Sequence, residues 1–210
     1  MPDSITTCKC GETYVVGNPE NEVWHNQVHD EYLNGLNVTE VQSLQSIAWR
    51  GQLRIAVINN SVEEPIRKAI VRVAMVAHRC MPSYKACYYG TNSEENLSLY
   101  ALVDNTRIIG MVIMSYEEHL CWYTWNAKGD LQPCITDFTS HGGPKITRVW
   151  IAASYRSRGL AQWLVREVAA DLSCLVSDMG WEMPFTESGE KLAKSLCPKE
   201  FLGYGDISSQ

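Results

Sequence analysis

Residues 146–161 read ITRVWIAASYRSRGLA. The run from Ile146 to Ala152 is rich in β-branched, aromatic and apolar residues and reads as a strand. It leads directly into Arg156, Arg158 and Gly159, and a helical pattern follows from about Gly159 to Val176. Leu160, Leu164, Val168, Leu172 and Leu175 or Val176 recur at helical spacing, whereas Gln162, Arg166, Asp171 and Ser173 lie elsewhere on the circumference. A strand, a glycine turn and a helix N-terminus in that order make a site for an anionic phosphate group. The N–H groups of residues 156–161 open the helix there, and its dipole favours negative charge. Gly159 permits close backbone approach, and Arg156 and Arg158 add positive charge. A plain strand–turn–helix with a surface arginine pair would carry the same string, so the flanking sequence must separate the two readings.

Upstream, LQSIAWRGQLRIAVI predicts two short strands around Arg50-Gly51. A helix is expected from about Val62 to Cys80, with Pro65 in its first turn, one apolar face formed by Ile66, Ile70, Val73 and Ala77, and Met81-Pro82 as its stop. LSLYALV at 97–103 and RIIGMVIMSY at 107–116 flank Asp104-Asn105-Thr106 and predict an antiparallel hairpin. Residues 119–144 give no clear assignment. Downstream, a short strand is expected around Met183–Phe185, a helix at about 188–196 and a last strand near Phe201–Tyr204. That order suits a mixed, mostly antiparallel α/β (α+β) sheet, open at its centre and flanked by helices.

The chain has 210 residues, 45% of them hydrophobic, enough for one sizeable core and a small appended module. No apolar run approaches the roughly 18 residues of a membrane span, and MPDSITTCKC lacks the pattern of a secretory signal. With eight mostly scattered cysteines, this favours an intracellular chain with free thiols. The net charge of −6 is concentrated in residues 1–40, where seven acids face Lys9 alone, and the remainder balances. Nucleic-acid binding through phosphates is therefore not expected.

The acidic segment carries a second constellation. Cys8 and Cys10 precede His25 and His29, and the His-x3-His spacing puts both imidazoles on one helix face. Asn18 is the expected N-cap, Pro19 the first helical residue and Gly35 the stop. A strand-like TYVV lies between the cysteines and this helix, which gives the ββα layout of a small zinc finger. Such a module has almost no core of its own, and zinc ligation would supply on the order of 10–16 kcal/mol of its folding free energy. The Cys-x-Cys knuckle is one residue shorter than the usual Cys-x2-Cys. The acidity argues for a structural or docking role.

Arg156-x-x-Gly159-x-Ala161 is similar to the pyrophosphate loop of acetyl-CoA-dependent N-acetyltransferases of the GNAT superfamily. Three ordered segments resemble, more narrowly, the Eco-type cohesin lysine acetyltransferases: CGETYVVGNPENEVWHNQVHDEYLNGL at 10–36, ITRVWIAASYRSRGLA, and PFTESGEKLAKSLC at 184–197. The resemblance implies a Cys2His2 finger over residues 1–40, binding one structural zinc through Cys8, Cys10, His25 and His29, and a GNAT domain over 41–210. It implies an acetyl-CoA site formed by Val149, Trp150, Ile151, Arg156, Ser157, Arg158, Gly159, Leu160 and Ala161. The implied reaction is direct attack of a deprotonated lysine amine on the thioester, the acceptor lysine being on a cohesin SMC subunit in the nucleus. A backbone N–H near Ile151 or Ala152 would polarise the carbonyl. Glu187 is the expected residue to orient or deprotonate the amine, Ser188 and Thr147 are relay groups, and Glu117 is the alternative base.

The chain also departs from that family. The family's first knuckle cysteine falls on Thr7, and its hairpin glutamate falls on Ser115. These departures keep two further readings open: acylation of another amine, and a non-catalytic acetyl-CoA and zinc module.

Overall fold

A computed structural model of the chain describes residues 4–58, 64–79, 98–134 and 141–205. Its strands are β1 (Ser4–Thr7), β2 (Thr13–Val16), β3 (Leu36–Asn37), β4 (Ser46–Arg50), β5 (Leu53–Ile58), β6 (Ser98–Asp104), β7 (Arg107–Trp125), β8 (Leu131–Pro133), β9 (His141–Ile151), β10 (Gly180–Glu182) and β11 (Glu200–Tyr204). The helices are α1 (Pro19–Asn34), α2 (Glu64–Arg79), α3 (Leu160–Asp171) and α4 (Glu187–Leu196). β1 and β2 form a separate hairpin beside α1. The other described strands form one sheet in the order β11-β10-β9-β7-β6-β5-β4, with β3 and β8 added along β7. Only the β9–β10 and β10–β11 pairings are parallel, so the sheet is mixed and mostly antiparallel, as expected. Among the described residues no helix is long and apolar enough to cross a membrane.

The long strand β7 is the spine. Ile108 to Met114 is buried without a break, the pattern of a strand covered on both faces. Ile109, Met111 and Ile113 pack with Leu102, Ile55, Leu164 and Phe201 in the central core. The unassigned stretch 119–144 opens with the last residues of this strand, which continues to Trp125, and closes with the first residues of β9, while 135–140 lie outside the described residues. After Trp125 comes a turn in which the Asn126 side chain accepts from the Lys128 and Asp130 amides, and then β8.

Helix α3 is shorter than the pattern suggests. Ser173 adopts φ +54°, the Cys174 amide bonds back to the Ala169 carbonyl and the Ser173 amide to Ala170. That double bond pattern terminates a helix. Val176 falls in a separate 3-10 turn, and Leu175 is exposed rather than part of the buried stripe. The strand expected around Met183–Phe185 lies three residues earlier, at Gly180–Glu182. Pro184 has no N–H to give a ladder, so the chain cannot remain paired there. In α2, Ile66, Val73 and Ala77 are buried as expected, while the Met81-Pro82 stop lies outside the described residues.

Helix α1 begins as the sequence indicates: the Asn18 side chain accepts from the Glu20 and Asn21 amides, and Pro19 opens the helix. It ends at Gly35, whose φ of +81° suits glycine, and a Cβ there would run into the Ile108 carbonyl. The end of α1 therefore lies directly on β7. Within α1 only His25 and Val28 are buried.

Candidate active site

β9 is treated differently along its two edges. Against β7 it is paired from Leu120↔His141 to Gly110↔Ile151. Against β10 it is paired only at Gly180↔Lys145 and Trp181↔Ile146. Beyond Ile146 the strands part and leave a wedge, lined by Ile146, Thr147, Arg148, Val149, Glu182 and Phe185 among others. It is a shallow cleft open to solvent.

The ladder decides which backbone groups face the wedge. The Ala152 amide donates to the Ile109 carbonyl at 2.8 Å. In an antiparallel pair the bonded positions alternate, so Trp150 and Arg148 also point toward β7. Val149 and Ile151 present their backbone groups to the open side. Of the two amides expected to polarise a thioester carbonyl, Ala152 is committed to the sheet and Ile151 faces the opening.

Past β9 the chain makes a one-turn 3-10 segment at Ala153–Tyr155 and enters α3 at Gly159. Gly159 has φ +71° and no atom within 4 Å of where a Cβ would stand. It is present for its backbone conformation. No side chain caps α3, so its first-turn amides have no side-chain partner, and residues 152–159 separate the helix from the end of β9. Ser157, also left-handed, is exposed, as are Arg158 and Gly159, while Leu160 is buried and Ala161 half-buried. Trp150 is a core residue at 3% exposure. The arginines fold onto protein: Arg156 donates through Nε to the Ile151 carbonyl at 2.9 Å, and Arg158 donates to the Ser154 carbonyl at 2.8 Å. Tyr155 bonds to Asp104 at 3.0 Å, and burial together with that bond pushes its hydroxyl up.

At the other end of the wedge stands a polar network. Thr147 Oγ1 lies 3.1 Å from Ser115 Oγ, and Thr147 is the extra residue of a bulge, since Ile113 pairs with Arg148 and Met114 with Ile146. Next to it Lys145, with its side chain 8% exposed, is held between Glu117 at 3.4 Å and Glu182 at 3.5 Å, and its ammonium lies 3.9 Å from the centre of the Tyr204 ring. Glu182 lines the wedge itself. The sequence reading missed it; the available signal was an acid at a strand end directly before Met183-Pro184. Glu187 and Ser188 stand outside the wedge, exposed at the start of α4, next to its lining residue Thr186. Lys191 pairs with Glu187 and holds its carboxyl below the usual range. Thus Thr147 pairs with Ser115 and Glu117 with Lys145, from the same two strands, and Glu187 and Ser188 lie apart on α4.

Cys8, Cys10, His25 and His29 come together in the hairpin–helix unit, their donor atoms all within 4.8 Å of one another. The one-residue knuckle closes through a turn in which the Gly11 amide, at φ +87°, donates to the Cys8 carbonyl. Cys10 is buried, and Cys8 Sγ lies 3.2 Å from His29 Nδ1. His25 stacks on Tyr14 at 3.9 Å, and its buried Nε2 has no hydrogen-bond partner. Two thiols, two imidazoles and one orphaned ring nitrogen fit a tetrahedral zinc ion.

The profile of the Acetyltransferase (GNAT) family matches residues 68–175. A comparison with curated protein sequences gives no match. Among solved structures the chain is similar to the xEco2 acetyltransferase domain bound to a K105-CoA conjugate, at 16% identity, covering 79% of this chain and 99% of that one, with a TM-score of 0.62. A second structure of the xEco2 acetyltransferase domain gives 16% identity, 79% and 98% coverage and a TM-score of 0.60. At this identity the likeness is one of fold.

Proposed function

Because the chain belongs to the acetyltransferase (GNAT) family, we propose that it moves the acetyl group of acetyl-CoA to a lysine amine on a protein, in the manner of the sister-chromatid-cohesion acetyltransferases. The observation that carries this reading is the wedge: beyond Ile146, β9 is paired along one edge only and runs on toward the uncapped start of α3, with Glu182 on the wedge wall. The xEco2 domain was solved with a K105-CoA conjugate, and the shared fold supports a protein lysine as acceptor. On this reading the acceptor is a cohesin SMC subunit and the site of action is the nucleus.

Acetyl-CoA supplies an acyl group activated as a thioester. The first-turn amides of α3 bind its pyrophosphate, and the backbone of Val149, which faces away from β7, binds the arm that follows. The Ile151 amide faces the developing oxyanion. A lysine with a pKa near 10.4 must lose its proton before it attacks, which costs roughly 4–5 kcal/mol at pH 7. We assign that proton to Glu182, whose carboxylate lines the wedge and is held by Lys145. Glu182 having taken the ammonium proton, the nitrogen–carbon bond forms, the carbon–sulfur bond breaks, and the CoA thiolate leaves as the thiol with the second proton of the attacking nitrogen. Thr147 and Ser115 orient the amine through their paired hydroxyls, and Glu117 fixes Lys145 from the other side. Glu187 and Ser188, at the rim, meet the acceptor chain rather than the thioester. Cys8, Cys10, His25 and His29 hold one structural zinc ion, which would bind the hairpin to α1.

A second reading has one observation in its favour. Ser115 stands where the cohesin-type enzymes carry a hairpin glutamate, which fits an amine acceptor of another kind. Turnover of acetyl-CoA with a cohesin SMC peptide, compared with a polyamine, separates the two. Acetylation of the peptide, located by mass spectrometry, is the expected result; turnover with the polyamine alone supports the second reading, and no turnover with either overturns both.

A further inference from the structure

By sequence Arg156 supplies positive charge to the phosphate-binding turn; in the structure its guanidinium is held on two sides. Its Nε donates to the Ile151 carbonyl at 2.9 Å. Its guanidinium carbon lies 5.2 Å from the centre of the Tyr32 ring, and its Nη1 lies 3.4 Å from the Tyr32 hydroxyl. Tyr32 belongs to α1, 124 residues away in sequence. The same end of α1 makes other contacts with the sheet and the loop. Ser154 bonds to Asn34 at 3.3 Å, and Arg107 reaches both Asp30, at 3.2 Å, and the Gly35 carbonyl, at 3.0 Å. The close approach of Gly35 to Ile108 leaves no slack between this helix end and β7. On its other side the Tyr32 ring lies 6.4 Å from the ring of His29, one of the four metal-site residues. His29 and Tyr32 are three residues apart and so share a helix face.

We propose that Tyr32 is a positioning residue for the acetyl-CoA loop: the finger helix holds the Arg156 guanidinium over the Tyr32 ring and so keeps the loop in the shape that receives the pyrophosphate. The cation is attracted to the ring face, and a planar guanidinium suits that contact better than an ammonium. The hairpin–helix unit then has a second role besides its own folding, because it sets donor affinity through one aromatic side chain. This rests on the reading of residues 156–161 as the acetyl-CoA loop.

The test uses the full chain and acetyl-CoA binding measured by calorimetry. Tyr32→Ala is expected to weaken acetyl-CoA binding about tenfold, the size of a lost cation–π contact with its hydrogen bond. Tyr32→Phe, which keeps the ring, is expected to stay within about twofold of the native chain. In rate assays KM for acetyl-CoA rises in Tyr32→Ala while kcat at saturation holds. Zinc content equal to the native chain shows that the finger is intact. In an Arg156→Met background, Tyr32→Ala should add nothing. Native-like affinity in Tyr32→Ala overturns the proposal, as does an undiminished Tyr32→Ala effect in the Arg156→Met background. If the native chain binds no acetyl-CoA, the donor-loop reading itself fails, a different outcome from either.

Discussion

The two ends of the wedge are built in opposite ways. The end we assign to the phosphates is almost all backbone: a left-handed glycine, an uncapped helix start and the open edge of β9, drawn from one continuous stretch of chain. The acyl end is almost all side chain: Ser115 and Glu117 from β7, Lys145 and Thr147 from β9, and Glu182 from β10. A site made of consecutive amides depends on conformation and tolerates changes of side chain. A site assembled from three strands depends on each group. Donor binding and chemistry should therefore fail independently when each end is altered.

The strongest separation is expected from Glu182→Gln. It removes the proton acceptor but keeps the shape, and kcat should fall by about 10²–10⁴ while acetyl-CoA affinity stays native. A kcat within a few-fold of native, with the protein folded, would move the base to Glu117 or Glu187. Gly159→Ala acts on the opposite end. Space is available for the methyl group, but φ of +71° costs a non-glycine residue about 1–2 kcal/mol, so acetyl-CoA should bind roughly tenfold more weakly with kcat unchanged. Calorimetry beside initial rates would show whether the two ends are as separate as their construction suggests. Thr147→Val keeps volume and loses one hydroxyl bond to Ser115; a drop of about fivefold in kcat is expected, with no change in donor affinity. The smallest effect concerns Tyr155, whose hydroxyl is pushed up by burial and by Asp104. Its neutral form is the one the fold favours. That stabilisation is complete below about pH 10, where the unfolded chain's tyrosine begins to ionise, and is lost as pH rises through the folded value. Urea unfolding at pH 8 and at pH 11 should show a shallower alkaline loss for Tyr155→Phe than for the native chain.

The same contrast explains what could be read from residues alone. The strand, turn and helix of the proposed phosphate loop were legible because their parts are adjacent: apolar strand, arginine turn, Gly159 and helical stripe follow one another in sixteen residues. The cluster of Cys8, Cys10, His25 and His29 was legible because its members come in pairs at short spacing, the spacing that zinc ligands use. Glu182 was not legible. Its one local mark is an acid directly before Met183-Pro184, and its place beside Lys145 follows from a two-residue parallel pairing between segments far apart in sequence. Resemblance drew attention to Glu187 instead, which the fold leaves at the surface in a pair with Lys191. The link from Tyr32 to Arg156 was equally hidden, because sequence assigns these residues to different modules. The early stop of α3 had a weak local signal in Ser173, since only the actual φ of +54° shows that the chain turns there.

The bulge in β9 has a consequence for insertions and deletions. A strand alternates its faces, so removing almost any residue of β9 would turn part of the strand over and place Lys145 and Ile146 on each other's side. Thr147 is the exception, because it is the residue the ladder does not count: Arg148 would still meet Ile113, and Ile146 would still meet Met114. A chain lacking Thr147 would keep its core and its donor loop and lose one hydroxyl from the reacting end. At that one position the reading frame of the sheet and the chemistry of the site can be edited separately.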